Sequence, residues 1–380
     1  MVRQFMGKLH LWLGLTSGLV VFIVALTGSI LAFEEELDLL FNRHLLVVDT
    51  ISPHRKSLDE LQGIATRQVA GAPIQRVQIF HDADRSILFL TGDKQEGRTV
   101  IALNPYTGQV LGVFDYEKRF FTIVLKLHRY LLMGETGKVI TGINCLIFLI
   151  MLISGLVIWW PRVKAAVKQR FRIKWNGAPK RLNWDIHAVG GFYALIFLLA
   201  IAFTGLVWSF SWVNKMVFLL ADGKPQKKEE FKSRKVAGAV QQTGLLEHVF
   251  TNITRQYPFQ GDVQITLPAK KEGAVNASIE RRDIRLDNIV SNMYFDRYSG
   301  QVLKVKPYES ESRGMKIRRL FYPVHTGSAY GWPTKLLAML VALFAASLPV
   351  TGTIIWLGRK KKGTGKKSTA VKGEKIVMNV

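Results

Sequence analysis

The sequence predicts a membrane α+β protein: four transmembrane helices that arise from a parallel internal duplication, with two α+β domains outside the membrane. Three observations predict this fold class. The apolar residues gather in four long blocks, basic residues cluster at one end of those blocks, and the two halves of the 380-residue chain share motifs at matching spacings.

The four apolar blocks predict the membrane helices. They lie near 11–33, 138–160, 188–213 and 335–357, and each has about 20 residues or more, enough to cross roughly 30 Å of hydrocarbon as a helix. Core helices of a soluble protein are a poor alternative, because almost uncharged runs of this length are rare in soluble folds. The first block is too long for the apolar region of a signal peptide and lacks a clear cleavage site, so it is predicted to be a retained span.

The net charge of +24 predicts the orientation of these helices. Eight basic residues stand in the loop between the second and third blocks, and Arg359 begins a Lys-rich tail after the fourth. Cytoplasmic loops carry such an excess, so the loop, the tail and the N-terminus are predicted to be cytoplasmic. Nucleic-acid binding would also fit this charge, but the basic residues cluster where topology demands them. We therefore expect contact with membrane lipid and no nucleic acid partner.

Two long segments remain on the opposite side of the membrane. Each has a helix-like stretch, at 57–69 and at 245–257, followed by strand-like runs. Each also contains a Tyr-[Thr/Ser]-Gly-Gln-Val-Leu hairpin, which begins at Tyr106 in the first segment and at Tyr298 in the second. Glycine accepts the positive φ of such turns, so two similar α+β domains are predicted.

These observations divide the chain into eight consecutive segments. They are 1–33 (N-terminus and first transmembrane helix), 34–136 (first outer domain), 137–160 (second helix), 161–186 (basic cytoplasmic loop), 187–213 (third helix), 214–334 (second outer domain), 335–357 (fourth helix) and 358–380 (basic cytoplasmic tail).

The repeated motifs surround four histidines. The spacing of His10, Gly14, Thr27 and Gly28 matches that of His187, Gly191, Thr204 and Gly205. The residues after His128 match those after His325 in the same way: Gly134, Lys138, Ser154, Gly155, Trp159 and Arg162 in the first half, and Gly331, Lys335, Thr351, Gly352, Trp356 and Arg359 in the second. Both copies begin in the cytoplasm, which predicts a parallel repeat about an axis along the membrane normal.

The four histidines are the candidate site residues, because ionisable residues at this depth are costly and functional by default. His10 and His187 begin outward-running helices, whereas His128 and His325 precede inward-running ones. The repeat axis therefore predicts two facing pairs. His10 and His187 would meet on the cytoplasmic side, and His128 and His325 on the outer side.

Paired imidazoles in a bilayer predict haem ligation. Zinc prefers four ligands, and the single cysteine, Cys145, lies mid-span and is interpreted as a packing residue. Two histidines suit the axial positions of a haem, whose porphyrin supplies four nitrogens. Small residues beside His10 and His187 would admit a flat macrocycle. Plain helix packing also explains those small residues, but not the four histidines. Because no Cys-x-x-Cys-His motif is present, the two predicted haems are b-type.

Several stretches resemble the PepSY-associated transmembrane family. They are KLHLWLGL (8–15), LHRYLL (127–132), SGLVIWWPR (154–162), NWDIHAVGGF (183–192), YPVHTG (322–327) and TGTIIW (351–356). This family comprises iron-regulated inner-membrane proteins, among them FoxB-like siderophore reductases. The resemblance implies a bacterial inner-membrane location, PepSY-like periplasmic domains, b-type haem held by the four histidines, and transmembrane electron flow for iron uptake.

The expected function is that of a dihaem reductase. Electrons from an unidentified cytoplasmic or membrane donor would enter at the His10/His187 haem and pass to the His128/His325 haem. There they would reduce a ferric siderophore, which releases iron because Fe(II) binds hard oxygen ligands more weakly. The sequence identifies no catalytic side chain and no substrate contact. Two alternatives stay open: a haem electron shuttle to a periplasmic partner, and a non-enzymatic PepSY interaction or regulatory protein.

Overall fold

The computed structural model describes residues 1–70, 72–92, 97–227, 229–234, 242–270, 272–284 and 286–365. The predicted cytoplasmic tail therefore lies largely outside the described residues. The chain divides into two compact units. The membrane unit consists of Met1–Ser29, His128–Ser209 and the described part of Met339–Val380, and the sheet unit consists of Ile30–Leu127 and Phe210–Ala338.

The described residues form α-helices along most of the chain. In chain order they are α1 Val2–Leu31, α2 Glu34–Phe41, α3 Arg43–Leu46, α4 Leu58–Gln68, α5 Phe120–Tyr130, α6 Gly134–Trp159, α7 Lys164–Arg170, α8 Pro179–Asp185, α9 Gly191–Ser209, α10 Ser211–Asp222, α11 Leu245–Gln256, α12 Arg313–Thr326 and α13 Trp332–Gly365. A π-helical turn, Ile186–Gly190, joins α8 to α9.

Among the described residues, four helical segments are long and apolar enough to cross a membrane. They are Val2–Leu31, Gly134–Trp159, Pro179–Ser209 and Trp332–Arg359. They indicate a multi-pass membrane protein and confirm the four predicted spans. Their ends differ from the predicted blocks, most of all at Val2 and Pro179, because a helix continues its hydrogen-bond ladder beyond the apolar run that identifies it.

The interior of the membrane unit is formed by small and aliphatic side chains. The packed residues at its centre are Leu152, Leu198, Val341 and Ala345. At the contact between α6 and α9, the thiol of Cys145 donates to the Ala202 carbonyl over 3.3 Å, as expected for a packing residue. Many other apolar side chains of this unit, such as Ile153 and Ile196, are exposed, which suits helices surrounded by lipid.

His128 and His325 lie near the ends of separate helices, α5 and α12, rather than on the spans that follow them. A pair of left-handed residues, Leu131 and Leu132 (φ 48 and 58), follows α5. Gly327 (φ 81) follows α12 in the manner of a glycine C-cap. Both breaks re-orient the chain before the next span begins.

The start of α12, the helix that carries His325, is fixed by two side chains. The hydroxyl of Ser312 accepts from the Met315 N–H. The Asp222 carboxylate accepts from the Ser312 hydroxyl and from the Gly314 N–H, and these hydrogen bonds lower the pKa of Asp222. α12 therefore begins at a well-defined N-cap.

The strands of the sheet unit form one antiparallel sheet. They are β1 Ile74–Ile79, β2 Ile87–Thr91, β3 Thr99–Leu103, β4 Val110–Asp115, β5 Gly261–Thr266, β6 Val275–Arg281, β7 Val290–Phe295 and β8 Val302–Lys306. Their order is β4-β3-β2-β1-β5-β6-β7-β8. The helices α4 and α11 pack with this sheet around a core that includes the fully buried Phe89 and Phe295.

The sheet joins the two segments that the sequence predicts as separate domains. Each segment contributes four strands, and β1 pairs with β5 so that Val77 stands opposite Ile265. The result is a single sheet within one unit, whereas the prediction was two domains. The pairing satisfies backbone groups that β1 and β5 would otherwise leave open as edge strands.

The two predicted hairpin turns are present between β3 and β4 and between β7 and β8. Asn104 in the first turn and Asp296 in the second each accept hydrogen bonds from two backbone N–H groups of their turn. Gly108 and Gly300 have φ values of 78 and 70, the conformation that the prediction requires of glycine.

The helices α4 and α11 cap each other. The carboxylate of Glu247 on α11 accepts from the Leu58 N–H at the start of α4 over 2.8 Å and binds Arg55 with both oxygens. Asp59 on α4 accepts in return from the Leu246 and Glu247 N–H groups, over 3.1 and 2.9 Å. Each segment thus supplies the anion that satisfies the free amides of the other segment's helix.

Glu247→Gln is expected to loosen the starts of both helices, because it removes the charge of one cap and its ion pair with Arg55. The expected loss is about 1–2 kcal/mol of local stability. Hydrogen exchange of the detergent-solubilised chain, followed by mass spectrometry, should show faster exchange in 58–68 and 245–256. Glu272→Gln is the control, because Glu272 lies outside both helices and pairs with Lys232 on the surface, and it should leave this exchange unchanged.

Candidate functional site

His10 and His187, predicted as a pair, lie side by side in the membrane unit. Their ring centroids are 6.4 Å apart and their planes are perpendicular. His10 lies in α1, one-third of the way along the helix. His187 lies in the π-helical turn between α8 and α9, and such turns are frequent at functional sites.

His10 is held by the neighbouring helix α6. Its Nδ1 lies 3.1 Å from the Met151 carbonyl oxygen and 2.9 Å from the Ser154 hydroxyl oxygen. The imidazole also lies against Gly155, where an added Cβ would come within 3.3 Å of its Cε1 atom. The absence of a side chain at 155 therefore makes room for the ring.

His187 is held in the same way by α13. Its Nδ1 lies 2.9 Å from the Thr351 hydroxyl oxygen. An added Cβ at Gly352 would come within 3.3 Å of the His187 Cε1 atom. A hydroxyl residue followed by glycine, which we call the Ser/Thr-Gly pair, thus receives each of these two rings.

His128 is held by a third Ser/Thr-Gly pair, on α1. Its Nδ1 lies 2.9 Å from the Val24 carbonyl oxygen and 3.1 Å from the Thr27 hydroxyl oxygen. An added Cβ at Gly28 would come within 3.1 Å of the His128 Cε1 atom. His325 lies on α12, in the sheet unit, so its pairing with His128 stays a prediction.

These hydrogen bonds determine which ring nitrogen carries the proton. The hydroxyls of Ser154, Thr351 and Thr27 each lie within donating distance of carbonyls of their own helices, so their single protons are already used. They can only accept from the imidazoles, as the Met151 and Val24 carbonyls do. Nδ1 is therefore the protonated nitrogen in all three histidines, and Nε2 presents its lone pair to a ligand.

The separation of the His10 and His187 rings leaves room for one metal ion between two imidazoles. A metal–imidazole bond is about 2.0 Å long, so two rings that held one ion would have centres roughly 6 Å apart. The observed separation of the ring centroids is 6.4 Å. This separation is compatible with a haem that His10 and His187 would hold, and such a haem would supply one-electron redox chemistry.

Residues 8–359 match the family model described as the PepSY-associated TM region. The chain belongs to this family. The match confirms the resemblance carried by the histidine and Thr-Gly motifs, and all four histidines fall inside it. A search among curated proteins finds no match to the chain.

In this PepSY-associated protein, the histidine supports have a signal in the sequence. Ser154 and Thr351, each followed by glycine, are markers of the repeat. Their role depends on which helix packs against which histidine, and a single sequence does not show this. The π-helical turn at His187 likewise has no sequence marker.

The remaining histidines of the PepSY-associated chain lie in the sheet unit. His248, for example, uses its Nε2 in a hydrogen bond with the Gly300 carbonyl over 3.1 Å. In the described part of the chain, no group of three or more His, Cys, Asp or Glu side chains could hold a metal ion.

Basic residues near the histidines in sequence have partners of their own. Arg181 donates from Nε to the buried carboxylate of Asp185 over 2.9 Å, and the Lys126 ammonium lies 2.7 Å from Glu117. Arg319 lies 3.8 Å from Glu311. In each of these three pairs, the cation is directed at a carboxylate.

Proposed function

We propose that the protein is an inner-membrane b-type dihaem reductase that transfers electrons across the membrane to a ferric siderophore. The observation that carries this proposal is the geometry of His10 and His187. Their 6.4 Å separation suits one iron between them, and the hydrogen bonds to Nδ1 leave Nε2 of both rings for the metal. When bound, haem supplies one-electron redox chemistry that no side chain of this protein offers.

The protein's own contribution is to hold neutral imidazoles in fixed orientations. The Met151 carbonyl and the Ser154 hydroxyl position His10, and the Thr351 hydroxyl positions His187. Second hydrogen bonds of this kind fix the tautomer and orientation of a ligating histidine and raise its basicity. Both rings are half-buried among the membrane helices.

The second haem belongs to the same proposal, between His128 and His325. It rests on the sequence repeat and on the Nδ1 hydrogen bonds of His128, which repeat those of His10. We also propose that both termini are cytoplasmic, since the basic loop and tail favour that side, and that the sheet unit is periplasmic and PepSY-like.

The purified chain should show the visible bands of b-type haem after dithionite, with about two haems per chain by pyridine haemochromogen assay. His10→Ala and His187→Ala should lose the same haem, because each removes one ligand of a shared iron. His248→Ala is the control and should keep both. Spectra that differ between the two variants would separate these histidines into different sites, and a chain without haem would favour a regulatory PepSY protein.

Thr351→Val should weaken the haem held by His187, because the Nδ1–H of that ring loses its acceptor. Loss of such a support typically costs about tenfold or more in affinity, and weaker donation to iron should raise the midpoint potential of that haem. A potentiometric titration with a haem-retention assay measures both. Thr353→Val is the matched control, because the Thr353 hydroxyl donates to the Pro349 carbonyl of its own helix, and it should behave as the wild type.

Dithionite-reduced protein, freed of excess reductant, should be reoxidised on mixing with a ferric siderophore. The gallium complex of the same siderophore is the control, since it has the same shape and charge but accepts no electron. Stopped-flow absorbance follows the reaction. Reduced haem that persists in the presence of the ferric complex would instead support an electron shuttle to a protein partner.

A further inference from the structure

A cavity of about 560 Å³ opens in the membrane unit between α7, α8 and the end of α13. Its lining combines basic, aromatic and aliphatic side chains with a backbone surface at Gly358. The lining residues are Gln169, Arg170, Lys180, Arg181, Asn183, Trp184, Ile354, Ile355, Gly358 and Arg359.

The charge of this cavity is positive and poorly compensated. Four of its lining residues are Lys or Arg, and none is Asp or Glu. The nearby Asp185 is fully buried. Its carboxylate accepts hydrogen bonds from the Arg181 Nε–H and from the Lys174 backbone N–H. Lys180 and Arg359 have no ion pair within the described ranges of the chain. The charge of the cavity is therefore suited to an anion from outside the protein.

Two of the cations are arranged around one indole. The guanidinium carbons of Arg170 and Arg181 each lie 5.3 Å from the centre of the Trp184 ring. Each guanidinium thus makes a cation–π contact with the same indole, and the Arg170 guanidinium also donates to the Trp159 carbonyl over 3.2 Å. An anion bound beside this indole would accept the remaining donors of the guanidiniums.

Part of the cavity lining is aliphatic. Ile354 and Ile355 lie near the end of the membrane-spanning part of α13, five and four residues before Arg359. Ile354 is 49% exposed. A ligand that fills this cavity would meet cations at one end and hydrocarbon-facing side chains at the other.

We propose that this cavity binds the phosphodiester headgroup of an anionic phospholipid. The cations face the phosphate, the Trp184 indole lies at headgroup depth, and Ile354 and Ile355 adjoin the acyl chains. The binding chemistry, a phosphate on a basic cluster, is one that a soluble phosphate could also satisfy. The aliphatic wall at the end of a membrane span favours the lipid. This proposal does not rest on haem binding.

The test uses the full chain in an uncharged detergent, stripped of endogenous lipid. Phosphatidylglycerol, phosphatidylcholine and inorganic phosphate are titrated separately, with bound lipid counted by native mass spectrometry and the melting temperature followed in parallel. Phosphatidylglycerol should bind and raise the melting temperature, whereas phosphatidylcholine and phosphate should have little effect. Lys180→Gln combined with Arg359→Gln should weaken phosphatidylglycerol binding about tenfold to thirtyfold.

The matched control combines Lys168→Gln with Arg172→Gln, which removes the same amount of positive charge from the basic loop but outside the cavity lining. It should bind phosphatidylglycerol like the wild type. Equal loss in this control would replace the proposed site by diffuse surface attraction. Equal binding of phosphatidylcholine would remove the role of the cations, and equal protection by phosphate would make this a soluble-anion site. Arg359→Gln alone should lose less of the phosphatidylglycerol binding. If the double variant does not fold, this single variant tests the proposal in its place.

Discussion

The Nδ1–H of each membrane histidine needs an acceptor, and the arrangement of the membrane helices follows from this requirement. A buried polar group without a partner costs several kcal/mol, roughly 2–7 by transfer scales, and hydrocarbon offers no water as a substitute. The acceptors come from neighbouring helices. His10 on α1 uses α6, His187 uses α13, and His128 uses α1. Each hydrogen bond therefore also fixes a helix–helix contact.

The Ser/Thr-Gly pair meets two physical demands at adjacent positions. The hydroxyl supplies the acceptor, and the glycine lets the imidazole approach the helix backbone, with added Cβ atoms predicted at only 3.1–3.3 Å from the ring. The relation between α1 and α6 is reciprocal: His10 contacts Ser154 and Gly155, and His128, just before α6, contacts Thr27 and Gly28. Contacts near both ends of two long helices set their relative register.

The sequence predicts those features that depend on local patterns. Apolar runs identify the four spans, and the Gly108 and Gly300 turns identify the hairpins. Features that depend on residues far apart in the sequence cannot be predicted from local patterns. The pairing of β1 with β5, separated by about half the chain, turns two predicted domains into one sheet. The helix α12, which carries His325, has mixed polarity and an internal proline, so its periodicity gives little indication of a helix.

The groups that accept hydrogen bonds from the histidine rings are neutral, which suits their position in the membrane helices. A carboxylate acceptor would raise imidazole basicity further, but it would place a second charge-bearing group in a low-dielectric layer, where an incompletely paired ion is costly. The buried Asp185, only two residues before His187, bonds Arg181 and the Lys174 N–H instead. Backbone carbonyls accept from the rings, and so do hydroxyls that donate to carbonyls of their own helices. These acceptors orient the rings without adding charge. The chain thereby keeps its candidate ligands neutral, the protonation state in which an imidazole nitrogen can bind a metal.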